Sequence, residues 1–408
     1  MSQQVQTELD VDQFTLGLVG PDQEWAGTVA DGGTVRTHTP PACWGPMITP
    51  EFRGGHEVTR PIRVENAEPG DALVVRIKDV DVTSVATSTG SMREREDAFG
   101  DDPFVDHVCP ECGTEWPEFG YTVAFDEDRS VGLTVGAEGA DDLAERAHEA
   151  MALPENSRQH PILLYKPDEI PGALGHLEPF IGNIGTTPSR EFPDSHNAGD
   201  FGQFLIGASH DWGLPDEDAL AARTDGHLDS NDVRPGATLI CPVEIEGAGL
   251  YVGDLHANQG DGELSLHTTD VSGRTELEVE VIKDLDLDGP LLLPNESDLP
   301  DIAKPYTDAE REAGEELADQ YEVDQVRDAA PIQIVGSGAT INDATENAFD
   351  RAGTLFGISE GEVRSRCTFT GGVEIARLPG VVQLSMLAPM DFLEECGLAE
   401  TVRRQYEL

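Results

Sequence analysis

Apolar and polar residues alternate with a period of two through most of the first three-quarters of the chain. The clearest cases are Ile62-Arg63-Val64-Glu65, Leu73-Val74-Val75-Arg76-Ile77, Thr238-Leu239-Ile240-Cys241-Pro242-Val243 and Leu277-Glu278-Val279-Glu280-Val281-Ile282. On a strand this pattern sends alternate side chains to a core and to solvent, so each run predicts a half-buried strand. Pro, Gly and Asp clusters between the runs read as turns. Two of these, Ala67-Glu68-Pro69-Gly70-Asp71 and Arg234-Pro235-Gly236-Ala237, each precede an apolar strand, which hints at an internal duplication. Helical spacing emerges only late. Thr307 to Gln320 opens with a Thr cap and an Asp-Ala-Glu turn. Asn342 to Phe356 repeats Ala344, Ala348, Phe349, Ala352 and Phe356 along one helical face. Two more strand-like pieces, Val373 to Leu378 and Val381 to Met386, follow the Gly371-Gly372 turn.

These elements predict a mainly β protein with a sandwich-like or barrel-like core and a smaller α+β part at the C-terminal end. We expect a β-rich N-terminal subdomain with an acidic insertion over residues 1–175, and a second β-rich subdomain carrying the active-site motif over 176–300. The α+β part covers 301–408. Residues 92–160 show the least alternation, and a short helix is expected there over Asp141 to Met151.

Charge changes the picture of the solvent rather than of the fold. The 408 residues hold 26 Lys and Arg against 79 Asp and Glu, a formal net charge of −53. A disordered acidic chain would show blocks of like charge, but here the acids lie between strand-like runs. Lysine is confined to Lys78, Lys166, Lys283 and Lys304. Dispersed carboxylates with little Lys suit a surface kept hydrated in concentrated salt, where the Debye length falls to roughly 3 Å at 1 M. We therefore expect a halophilic protein. Nucleic acid is excluded as a partner, because a polyanion would be repelled. Six scattered cysteines do not make a disulfide framework for a chain of this size. With no signal-peptide pattern at the start and no apolar run of about 20 residues, a cytoplasmic protein without a membrane partner is expected.

The densest chemistry lies in Gly253-Asp254-Leu255-His256-Ala257-Asn258-Gln259-Gly260-Asp261-Gly262-Glu263-Leu264-Ser265-Leu266-His267. On a strand, Asp254 and His256 face the same side. A turn over Gln259 to Gly262 would bring Glu263, Ser265 and His267 back on one face of a return strand. Two carboxylates and an imidazole with room for a water are the ligand chemistry of a catalytic divalent metal, and zinc fits such donors. The plainer alternative is that Asp261-Gly262 is only a hairpin turn and that Asp254 and His256 form an exposed polar edge.

This segment resembles the signature of the acetamidase/formamidase family, in which G-D-x-H-A leads into G-D-G-E. Three further segments agree in the right order: Pro61 to Asp71, Pro179-Phe180-Ile181-Gly182-Asn183-Ile184-Gly185-Thr186-Thr187-Pro188, and Gly226-His227-Leu228-Asp229 followed by Val233 to Leu239. The resemblance covers roughly residues 30 to 390. It departs at His227, where the family has Asn, at Arg60 and Asn66, each replacing a Gly, and in an extra loop over 189–224 holding His196, His210 and Trp212.

The resemblance implies metal-dependent hydrolysis of a short, formamide- or acetamide-like carboxamide to carboxylate and ammonia. The metal, zinc in the first instance, would be held by some of Asp229, Asp254, His256 and Asp261. Glu263, His256 and His227 would be the catalytic candidates, with Gln259 and Gly262 near the substrate. A homo-oligomer is implied as well. Two alternatives stand beside it. One is an amidase working without metal, through Glu263 and His256 or through acylation of Cys43. The other is a non-catalytic small-molecule-binding protein on the same scaffold. His107-Val108-Cys109-Pro110-Glu111-Cys112 supplies only half of a structural zinc site, and no serine-amidase motif or phosphate loop is present.

Overall fold

The computed structural model describes residues 4–42, 56–90, 107–108, 115–116, 120–159, 171–198, 222–264, 268–378 and 380–408. Cys43, Cys109, Cys112, His210, Trp212 and Ser265 to His267 lie outside the described residues.

A large mixed sheet organises the molecule. Its strands run in the order Phe180–Gly185, Ala248–His256, Ile62–Val64, Gly27–Thr39, Gly273–Ile282, Ala72–Val82, Thr238–Pro242, Leu291–Leu293, Ala329–Ser337, Val381–Pro389 and Gly372–Arg377. Alternation explains the central strands. In Gly273–Ile282, Thr275, Leu277 and Val279 are buried while Arg274 is exposed and Glu276, Glu278 and Glu280 lie half-buried along the outer side.

Elsewhere both faces are covered. Val75 and Leu239 enter one core with Ile181, Val252 and Leu255, whereas their neighbours Val74 and Ile240 enter another with Ile332, Leu384 and Phe349. One residue along a strand is one face of the sheet, so this sheet separates two cores. The second core is closed by the helices Ile341–Phe356 and Glu360–Thr370. The two Pro-Gly turns precede strands that pair antiparallel, Ala72 opposite Pro242 and Arg76 opposite Thr238.

The first late helix begins where its cap predicts, and the second begins at Ile341 under Thr340 instead of at Asn342. Thr307 caps Asp308–Gln320 in a capping box with Glu310, and Thr340 caps Ile341–Phe356 by accepting from the Asp343 N–H. The helix expected over Asp141 to Met151 is instead a pair, Ala137–Glu145 and Ala147–Met151. No helix among the described residues is long and apolar enough to cross a membrane.

Candidate active site

The site forms at one end of the Ala248–His256 strand. This strand is buried along its whole length and pairs with Phe180–Gly185 on one side, with His256 opposite Phe180 and Gly253 opposite Asn183. The return ladder starts at Asp270 and Val271, which pair with His256 and Leu255. It does not start at Glu263, which lies in the intervening loop and carries a φ of 43°. The simple hairpin expected from the sequence is therefore a longer excursion that drops Glu263 back onto the strand end.

Three of the acidic residues gathered here share an uncommon backbone. Asp229, Asp254 and Glu263 have φ of 46°, 54° and 43°. Left-handed conformation is tolerated by Asp and disfavoured for Glu, and such strain persists only where surrounding contacts enforce it. Close approach of the strands contributes to that enforcement. A Cβ on Gly182 would lie 2.6 Å from Asp229 Oδ1 and 2.8 Å from the Asp254 carbonyl oxygen, and one on Gly253 would lie 2.8 Å from Val58 Cγ1. Both positions demand glycine.

Asp254 sits between three imidazoles. Its Oδ1 is 2.8 Å from His256 Nε2, and its Oδ2 is 3.9 Å from both His56 Nδ1 and His227 Nε2. The rings of His56 and His227 meet edge-on at 5.0 Å. His227 Nε2 lies 2.9 Å from Asp229 Oδ2, and His256 Nε2 lies 3.2 Å from Asp270 Oδ1. His256 and His227 are oriented through Nδ1, opposite the Nε2 that faces the carboxylates, whereas His56 meets Asp194 through the same Nδ1 that lies 3.9 Å from Asp254. Asp194 accepts from the His56 backbone N–H at 2.6 Å and lies 2.9 Å from its Nδ1, while Asn183 donates to Asp194 at 2.5 Å. Gln259 Oε1 is 3.0 Å from His256 Nδ1, and the Gln259 amide donates to the carbonyls of Asp229 and Ala376. The Ser195 carbonyl oxygen lies 3.2 Å from His227 Nδ1. Arg377, almost fully buried at the end of the last edge strand, places Nε 2.8 Å from Asp229 Oδ2 and donates to the His227 carbonyl.

Burial and charge act on these groups in opposition. For Asp229, burial pushes the carboxyl up, but His227, Arg377 and His256 outweigh it and hold the group well below the usual carboxylate range. Burial lowers His256, yet Asp254 first, and then Asp270 and Asp229, push it up to about 10. Glu263 is raised well above its ordinary value by burial and then by the Asp229 charge. Asp229 Oδ1 and Glu263 Oε2 are buried without a hydrogen-bond partner, an arrangement that a bound cation or a bound water would resolve.

The donor set fits a divalent metal. His56, His227 and Asp254 form one buried group whose ligand atoms lie within 4.8 Å of one another, and Asp229, Asp254 and His256 form another. Mixed imidazole and carboxylate donors oriented by further hydrogen bonds are the ligand chemistry of a divalent metal.

The sequence motif thus brings Asp229, His227, Asp254, His256 and Glu263 into one cluster. Asp261 stands apart, exposed and accepting from Asn231 at 2.9 Å. Gln259 and Gly262 are engaged with protein, Gly262 through its backbone with Ala376 and Leu378. Sequence reasoning missed His56, Asp194, Asp270 and Arg377. Asn183 lies inside the Pro179 to Pro188 segment, whose glycines and apolar residues mask its role. None of the missed four is close in sequence to the Gly-Asp-Leu-His segment except Asp270, which a longer loop concealed.

Fold and site define a mainly β protein that collects buried histidines and carboxylates at converging strand ends into a centre able to hold metal. More narrowly, the chain belongs to the Acetamidase/Formamidase family, whose pattern matches residues 38–390. A putative formamidase of Schizosaccharomyces pombe is 24% identical over 259 residues, covering 59% of this chain and 56% of that protein. The acetamidase of Mycolicibacterium smegmatis is 25% identical over 264 residues, covering 56% of this chain and 54% of that protein. The chain thus spans about half the length of the curated relatives it matches. The fold is similar to that of a predicted acetamidase/formamidase from Thermoanaerobacter tengcongensis, with a TM-score of 0.57, 18% identity and coverage of 96% of this chain and 98% of that one.

Proposed function

We propose that the protein hydrolyses a short carboxamide to a carboxylate and ammonia at the Asp254 centre, with a divalent metal, zinc by its donor chemistry, held by residues drawn from His56, His227, Asp229, Asp254 and His256. The observation that carries this reading is Asp254 set among three buried imidazoles, beside two carboxylate oxygens that have no protein partner. When bound, such a metal supplies a Lewis acid for the amide carbonyl and lowers the pKa of a coordinated water.

The chain's own groups supply the rest. Glu263 Oε2 is the free buried acceptor for the proton of an attacking water. Having taken that proton, Glu263 can pass it to the leaving nitrogen, which is the double duty of a general base and acid. Gln259 fixes the His256 ring, Arg377 and His227 hold Asp229 ionised, and Asp194 with Asn183 fixes His56.

Ammonia release from formamide, acetamide and larger amides, measured in molar KCl before and after chelation, tests the reading. Release abolished by chelation and restored by zinc is expected. No release from any amide would overturn it in favour of ligand binding without turnover. Full release after metal removal is the result that would favour an acid–base site of Glu263 and His256 alone.

A further inference from the structure

We infer that Asp254 is a bridging ligand between two divalent cations rather than a terminal ligand to one. The inference rests on the reading of the centre as a metal site and adds its nuclearity. The two oxygens of Asp254 face different partners. Oδ1 is turned to His256 at 2.8 Å, while Oδ2 lies 3.9 Å from each of His56 and His227. The two buried ligand groups, His56 with His227 and Asp229 with His256, have no member in common but Asp254. A carboxylate whose two oxygens address two separate donor sets is the geometry of a bridge, and metal pairs in hydrolytic sites lie about 3.5–4 Å apart, within the span of one carboxylate.

The buried Asp229 Oδ1, which passes beside Gly182 in the space a Cβ would fill, has no hydrogen-bond partner and is an acceptor available to the cation of the His256 set. His227 sits where its 2.9 Å contact to Asp229 links one donor set to the other.

The test uses the full chain, stripped of metal and reloaded with excess Zn2+ or Mn2+, and needs no turnover. Elemental analysis should find two ions per chain, and the Mn2+ protein should show an exchange-coupled paramagnetic signal. His56→Ala and His256→Ala should each retain one ion, and Asp254→Ala should lose the coupling. One ion per chain in the unaltered protein, or two ions without coupling, would overturn the bridge while leaving a metal site in place. No ion at all would overturn the metal reading itself. The coupled signal belongs to the unaltered protein, so a variant that fails to fold does not remove the test.

Discussion

Arg377 Nε lies 2.8 Å from Asp229 Oδ2 in a setting where both side chains are about 2% exposed. The contact ties the last edge strand of the sheet to a loop that sits between the Phe180–Gly185 and Thr238–Pro242 strands in sequence. Gly262 reinforces it by bridging to Arg377 in parallel register. The C-terminal part is therefore a structural component of the candidate site and not an appendage to it.

Replacing Arg377 by Met should be severe, because it leaves Asp229 buried without its guanidinium. Loss of one partner of a buried pair costs about 3–5 kcal/mol, so thermal unfolding should shift down by many degrees. Arg377→Lys should not restore the parent protein, since an ammonium cannot both meet Asp229 and donate to the His227 carbonyl from the same fixed fork. Unfolding midpoints of the three proteins decide the matter. A Lys variant as stable as the parent would mean that charge alone suffices.

Glu263→Gln should remove proton transfer while keeping size and shape. Turnover of the best amide is expected to fall by roughly 10²–10⁴-fold, the range typical of lost general acid–base catalysis. Metal content should be unchanged, as measured by elemental analysis of the same sample. Retained turnover would remove Glu263 from the mechanism, and lost metal would make it a ligand.

The contrast between Asp229 and Arg377 also shows what a sequence of this kind discloses. Period-two runs such as Leu277 to Ile282 give away their strands, because each half-buried face is written into every second residue. The capped helix at Thr307 is equally plain, and the apolar face from Ala344 to Phe356 discloses the next helix though not its Thr340 cap. Strands buried on both faces, such as Ala248–His256, lose the alternation and keep only their apolar character. The local half of the site, from Asp254 to Glu263, was legible because the glycines and acids are contiguous. Its other half was not. His56, Asp194 and Arg377 reach the centre through tertiary pairing, and nothing in their immediate neighbours distinguishes them from the many surface acids and arginines. The left-handed backbone at Asp254 and Glu263 is also invisible to an alternation argument, which assumes extended residues throughout.

Stability should fall as pH rises from about 4 to about 7, with Asp232 as a principal cause. Burial, with Glu374 and Asp298 adding repulsion, pushes this carboxyl up to about 7. Between its unfolded pKa near 3.9 and that value, the folded chain keeps a proton that the unfolded chain has released. Its contribution is therefore complete below the unfolded pKa and is lost as pH climbs through the folded one. A shift of about three units corresponds to an effect on the order of 3–4 kcal/mol. Asp232→Asn keeps the acceptor for Gln383 and removes the titration. It should flatten the slope of unfolding midpoint between pH 5 and pH 8, without abolishing it, because buried Glu57 is also raised to about 7. Identical slopes for variant and parent would acquit Asp232.

Salt should act as a stabiliser over the whole molar range, and the reason is visible on the sheet's outer face. Glu276, Glu278 and Glu280 project along one strand and are answered by Arg36, Lys78 and Arg76 at 2.7, 3.7 and 2.7 Å. These local pairs are satisfied, so raising the ionic strength gains little from them and weakens them somewhat. The net charge of −53 is not satisfied by any such pairing. Its mutual repulsion acts over a Debye length of about 10 Å at 0.1 M and about 3 Å at 1 M. The long-range repulsion therefore outweighs the loss in the pairs as salt is added. The unfolding midpoint should rise steadily from 0.1 M to 2 M KCl, with most of the gain below 1 M, where screening changes fastest. Differential scanning calorimetry across that series reads the effect directly. A flat or falling curve would mean that the acids are balanced by bound cations or by partner chains, and that the composition reflects something other than life in concentrated salt.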